Sequence, residues 1–271
     1  MQRLPLLFLG HGGGPLPLMG HDGHADLIKT WDAGSDIYNI LHSEAVQSVV
    51  IVSAHHESAD GRILIMDDEQ PSLLYDYGGF PPETYKYTMP NPGSRVLAAR
   101  VASLLAAAGI ANSMETNRGH DHGVFVPLLG LKVPQKRPDL PVISISLPGP
   151  ADYSQQGQTE NHWNFGKALT ALRMEGVLFV GSGNSFHSRA NIPAESKAYD
   201  TYLQGLAQGA GGKDFRHWAD HPAARKCHPR PEHLLPLIVL AGAAAASTPK
   251  GQVQAIPHDF MGHAASHFVF H

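Results

Sequence analysis

The chain is poor in cysteine, in charge and in long apolar runs. Cys227 is its only cysteine; that excludes an internal disulfide framework and makes the cytoplasm the expected location. Charged residues make up 16% and the formal net charge is -4, so the basic footprint of a nucleic-acid binder is missing. No apolar stretch approaches the ~20 residues of a membrane-crossing helix, and no membrane partner is expected. Behind Arg3, the run Leu4–Leu9 is near the lower limit for a secretory signal and no small-residue cleavage site follows it. It reads as a first buried strand.

What is present is a chain of 271 residues, 42% hydrophobic, enough for a sizeable core. There is no internal repeat, charge run or long flexible linker, so residues 1–271 read as one domain. The apolar runs alternate with helical patterns. Strands are expected at Leu4–Gly10, Val46–Ala54, Arg62–Met66, Pro141–Leu147, Val177–Ser182, Val253–Pro257 and His267–Phe270. Helices are expected at Asp26–His42, from Ser94 as N-cap to Ala108, and at Glu160–Glu175, Ala194–Ala210 and Glu232–Ala246. The last tolerates Pro236 only in its first turn. Alternating strands and helices with near-continuous apolar strands predict an α/β fold: a central, mostly parallel or mixed sheet with helices on both faces.

The unusual feature is histidine, 18 residues against 20 of Lys and Arg combined. Three buried strands end in one: LLFLG in His11, VVIVSA in His55 and His56, and VLFVGSGNSF in His187. Ligands of open α/β sheets sit beyond the carboxyl ends of the strands, and imidazole suits Fe, Zn, Cu and Ni. A shared metal site therefore competes with the plainer reading of three polar residues closing three strands. His11 lies in Gly10-His11-Gly12-Gly13-Gly14-Pro15, whose glycines allow close backbone approach to a ligand. A phosphate cradle is disfavoured, because no Lys or Ser/Thr stands in P-loop position. His55 is preferred to His56 because it directly follows Ser53-Ala54. His120-Asp121-His122 is either a pair of substrate-contacting groups or a helix N-cap with Asp121 as acceptor. Glu232 suits the N-terminus of its helix, while His233 in that first turn precedes a buried stretch. His258, His263, His267 and His271 are read as exposed or packing residues.

Six pieces, in order and over most of the chain, carry a family resemblance: LFLGHGGGP, VVIVSAHHE, YGGFPPETYKYTMPNPGS, HDHGVFVPL, LFVGSGNSFHS and HPRPEHLLPLIVLAGAA. Together they resemble the class III extradiol ring-cleaving dioxygenases, the protocatechuate 4,5-dioxygenase catalytic-subunit-like superfamily, and most of all its DOPA 4,5-dioxygenase branch. The resemblance implies that His11, His55 and His233 ligate the metal. It implies that His187 is the active-site acid/base, able to close on the metal as a fourth ligand, and that His122 lies on the substrate side. The implied cofactor is Fe(II), with Zn(II) accepted by the same imidazoles in a purified or crystallised form. The implied partners are O2 and a small catechol, DOPA-like, opened in the 4,5 manner. Where the family usually has Gly-His-Gly-Ser-Pro, this chain has Gly-His-Gly-Gly-Gly-Pro, and Leu18–His24 also depart from the pattern. Both changes bear on the substrate more than on the metal.

The residue types suit that chemistry. Three neutral imidazoles leave coordination positions open for a catechol and O2, and a further histidine with a pKa near neutrality moves protons both ways. The loops Gly12–Leu18 and Tyr77–Met89 are expected to roof the site, with Tyr77, Phe80 and Tyr85 either facing a ring or packing the loops. Two rival readings use the same residues: a zinc-dependent hydrolase on a similar sheet, and a metal-binding scaffold without activity.

Overall fold

Near-continuous apolar strands need cover on both faces, and the two-residue alternation along each strand decides which side chain meets which cover. The computed structural model describes residues 3–149, 155–209, 213–245 and 252–271. Strands β1 (Leu6–Gly10), β2 (Ser48–Glu57), β3 (Ile63–Met66), β4 (Asn112–Glu115), β5 (Val142–Leu147), β6 (Val177–Gly183), β7 (Val253–Phe260) and β8 (His263–Phe270) form one sheet, in the order β4-β3-β5-β2-β6-β1-β8-β7. The central strands β5, β2, β6 and β1 are parallel. β8 adds antiparallel to β1, and β7 to β8. On the other flank β3 adds antiparallel to β5 and β4 parallel to β3. The expected α/β architecture is present, as a mixed sheet.

The helices are α1 (Ala25–Lys29), α2 (Asp36–Leu41), α3 (Arg95–Ala107), α4 (His122–Gly130), α5 (Val133–Lys136), α6 (Gln155–Ala168), α7 (Pro193–Ala207), α8 (Ala224–Cys227) and α9 (Leu235–Ala244). Leu6, Phe8, Val50, Val52 and Phe179 face the cover of α3, α6, α7 and α9. Their sequence neighbours Leu7, Leu9, Val49, Ile51 and Val180 face α1, α2, α4 and α5. Every residue of α9 is buried, with Pro236 in the first turn as its ring requires. It lies directly on α6. A Cβ on Gly166 would stand 1.7 Å from the Val239 carbonyl oxygen, and one on Gly242 2.1 Å from that of Trp163, so the two backbones touch.

Several expected elements are redrawn. Asp26–His42 is not one helix: α1 and α2 are separate, with Gly34 at φ +94° between them and Ser35 capping α2 by accepting from Tyr38 N. Glu160–Glu175 is the second half of α6 followed by a 3-10 turn, Thr170–Met174. β4 has no apolar alternation and was not expected; three of its four side chains are partly exposed and none is buried. The two closing strands are longer than expected and form a hairpin across Met261-Gly262, both at positive φ, the conformation that matches strand twist. Pro257 fits there because β7 is the edge strand. The expected helix ends at Ala210 and Ala246 lie outside the described residues.

Burial pushes His120, His162 and His228 down to about 4 from the ordinary 6.5. Each is buried neutral, so between those two values the unfolded chain binds protons that the folded chain refuses. Stability is complete above about pH 6.5 and is lost as pH falls toward 4, by up to about 1.4 kcal/mol per pH unit for each histidine. Urea midpoints are therefore expected to drop clearly from pH 7 to pH 5; equal midpoints would contradict neutral burial.

Candidate metal centre

The parallel strands β1, β2 and β6 end side by side, and the backbone there is tightly tied. His11, directly after β1, donates its N–H to Gly183 O at 3.0 Å. β2 runs three residues past its expected end, with a register shift against β5 between Ser53 and Glu57. In that stretch His55 turns to the strand-end cluster, while buried His56 brings Nε2 within 2.8 Å of Glu115 Oε2. Arg118 holds the end of β2 by donating to His55 O at 2.9 Å, and it pairs with buried Asp121 at 3.0 Å. After β6, Asn184 N donates to His233 O at 3.0 Å. A Cβ on Gly183 would fall 2.0 Å from that oxygen, so glycine is what lets His233 approach the strand end.

Three ring nitrogens converge. His55 Nε2 lies 3.1 Å from His11 Nε2 and 3.2 Å from His233 Nε2. Two imidazoles bound side by side to one ion at about 2.1 Å would put their nitrogens about 3.0 Å apart. The far side of each ring fixes its tautomer. Ser182 gives its hydroxyl proton to Gly123 O, so it accepts from His11 Nδ1 at 2.9 Å. Glu232 Oε1 accepts from His233 Nδ1 at 2.9 Å. The His55 Nδ1 faces Asp76 Oδ2 at 3.4 Å. With protons on all three Nδ1 atoms, three Nε2 lone pairs point at one spot. A cation suits that spot and water alone does not.

Electrostatics agree. Burial lowers the pKa of His11 and His233 well below 6.5, with the neighbouring histidines adding to the effect. Burial and the nearby His122 take His55 to about 4. All three are neutral at physiological pH, the form that binds metal. Burial would raise the Asp76 carboxyl, but hydrogen bonds from His122 Nδ1 at 2.8 Å and His122 N at 2.9 Å bring it down to about 2. Two overlapping groups, His55–Asp76–His122 and His187–Glu232–His233, are also close enough to hold an ion. In each, a carboxylate already accepts a ring N–H, so a proton occupies part of the donor set.

His187 stacks on His233, ring centroids 3.5 Å apart and 17° from parallel, with its Nδ1 3.4 Å from Glu232 Oε1. Its side chain is 43% exposed, facing a cleft of about 910 Å³. His122 stands at the start of α4, its ring 3.9 Å from that of His55 and 5.3 Å from that of His11. All five histidines singled out in the sequence are thus brought together. The two loops meet: Phe80 lies against Gly14, and Tyr77 packs on Phe80, Tyr85 and His122. These aromatics pack the roof, with Tyr77 reaching the centre through His122.

Sequence reading missed Asp76, Ser182, Arg118 and the orienting role of Glu232. It also undervalued the tail. His267 is fully buried and accepts from Gly10 N at 2.8 Å, one residue before His11. Its Nε2–H therefore donates to Thr30 Oγ1 at 2.9 Å. His258 stacks on it at 4.3 Å. His263 stacks on Phe186, and His271 is exposed. His24 belongs here too, accepting from Gly13 N at 3.0 Å and so holding the Gly12–Gly14 loop.

Residues 6–270 match the family described as the catalytic LigB subunit of aromatic ring-opening dioxygenase. The dioxygenase tasH of Hapsidospora irregularis is 33% identical over 90% of this chain and 79% of its own length. The 4,5-DOPA dioxygenase extradiol of Beta vulgaris is 31% identical over 88% of this chain and 85% of its own. Its namesake in Escherichia coli K12 is 29% identical over 89% and 85%. The crystal structure of an uncharacterised protein of Escherichia coli K12 superposes with a TM-score of 0.70 over 99% of this chain and 100% of that one, at 23% identity. That likeness shows the fold.

Ser182→Ala removes the acceptor that keeps the His11 proton on Nδ1. Loss of such a partner typically costs ~10- to 100-fold in metal affinity, and the same loss is expected here for Fe(II) or Zn(II) under anaerobic titration. Unchanged affinity would contradict the tautomer assignment.

Proposed function

The chain belongs to the LigB family of aromatic ring-opening dioxygenases, and from that premise we propose that it is an Fe(II)-dependent extradiol enzyme opening a small catechol with O2. The convergence of three tautomer-fixed Nε2 atoms carries the reading. His11, His55 and His233 are the ligands, and residues 1–271 act as one catalytic domain. The relatives named for 4,5-DOPA cleavage support 4,5-type opening of a DOPA-like substrate. That Cys227 is the only cysteine supports a reducing cytoplasmic setting. No helix among the described residues is long and apolar enough to cross a membrane.

The family is metal-dependent, and these residues fit a divalent ion by donor type, charge state and spacing. Three protein nitrogens leave positions where a bound ferrous ion would bring a catechol and O2 together. The chain's own residues supply the proton traffic. His122 gives its Nδ1 proton to Asp76, so its Nε2 is an acceptor for a catechol hydroxyl. His187 has no comparable clamp: Glu232 is 3.4 Å away and the ring borders open cleft. That freedom suits a group that takes a proton and returns it. Tyr77 and Phe80 shield the His122 side from water. Zn(II), which accepts the same nitrogens, would occupy the site without redox chemistry; family membership favours ring opening over hydrolysis.

Iron-reconstituted protein is expected to consume O2 with DOPA, dopamine, caffeate, protocatechuate or gallate and to open the ring beside the diol. Turnover of none, with iron bound, would overturn the proposal. Alanine at His11, His55 or His233 is expected to abolish or severely weaken metal binding; full occupancy in all three variants would remove the site. His187→Ala is expected to keep most of the metal and lose ~10²–10⁴-fold in turnover, and normal turnover would remove His187 from the mechanism.

A further inference from the structure

The cleft of about 910 Å³ that borders the centre has a composition of its own. His187 and Glu232 line the cleft and both touch His233, so the cleft opens beside the candidate centre. Phe186, Phe260 and Met261 give it apolar walls, suited to a ring and its methylenes. Two guanidiniums also line it, Arg189 and Arg230. Arg230 is balanced: it pairs with Glu57 and approaches Glu232 at 3.7 Å. Arg189 is exposed, lies two residues beyond His187, and has no hydrogen bond or ion pair among the described residues. Arg189 is thus the guanidinium of the cleft wall that no carboxylate among the described residues engages, two residues beyond His187.

We propose that Arg189 is a specificity-determining residue that binds the carboxylate of the substrate's side chain, while the diol end occupies the metal centre. The inference rests on the ring-cleavage reading for the identity of the diol end. Arg189 needs no rearrangement of existing ion pairs to do this, since it has none to break. A guanidinium fork binds a carboxylate through paired N–H donors, and a free guanidinium at the cleft wall repels an amine. The cleft therefore favours a catechol whose side chain carries a carboxylate over one that lacks it.

The test compares 3-(3,4-dihydroxyphenyl)propanoate with 4-ethylcatechol, which lacks only the carboxylate. Binding of each to the anaerobic, iron-loaded protein is measured by calorimetry. The acid is expected to bind about tenfold tighter to the wild type, the contribution of one partly solvated charge-assisted contact. Arg189→Gln is expected to erase that preference and Arg189→Lys to retain part of it. Added salt should weaken the wild-type preference, because the contact is exposed to screening. Equal affinities in the wild type, or an unchanged preference in Arg189→Gln, overturn the proposal. Oxygen uptake with the same pair tests the ring-cleavage reading separately. Arg189-dependent binding without turnover would overturn that reading and leave the carboxylate site standing.

Discussion

Three imidazole lone pairs aimed at one point are unfavourable without a cation between them, and most of the polar detail at the carboxyl edge of the sheet serves to hold them there. Ser182, Glu232 and Asp76 each face the Nδ1 side of a different ring. Were any of those protons to move to Nε2, a lone pair would be lost from the set and the candidate centre would close. The orienting groups are themselves constrained. Ser182 is committed to Gly123 O, and Asp76 also accepts two hydrogen bonds from His122. The donor set is therefore oriented by the protein alone, at the cost of burying several polar groups.

The backbone makes this possible through close approaches and long-range ties. Gly183 lets the carbonyl of His233 sit against the end of β6, and His11 N ties β1 to the same residue. His267, on β8, ties Gly10 to α1 through Thr30. The antiparallel C-terminal hairpin is thus part of the site's frame as well as of the sheet. Arg118 does the equivalent job for the far end of β2. Each of the three histidines is held by an element remote from it in sequence, which keeps the ring nitrogens within a few ångströms.

The three converging histidines were legible because each lies at a sequence landmark: a buried strand running into His11 or His55, or an expected helix start at His233. The order of strands and helices was legible for the same reason, apolar period and capping residues. What escaped had no local signature. Asp76 lies in an aromatic loop, and only its position beside His122 and His55 gives it a role. Ser182 is one more small residue in a buried strand until the Gly123 carbonyl fixes its proton. His267 reads as a strand residue until the sheet puts it next to Gly10. β4 was missed because Asn112–Glu115 has no alternating apolar pattern, its pairing being set by β3. The split between α1 and α2 turned on Gly34 and the Ser35 cap, which the apolar spacing of Leu27, Trp31 and Ile37 masked.

Where the ion goes decides between the three overlapping donor groups. The most direct measurement is a crystal structure of the protein loaded anaerobically with Fe(II), the metal located by its anomalous scattering at the iron edge. The expected result is one ion bound by Nε2 of His11, His55 and His233 at about 2.0–2.2 Å, with its remaining positions open toward the His187 side. Iron held instead by His187–Glu232–His233 or by His55–Asp76–His122 would contradict it.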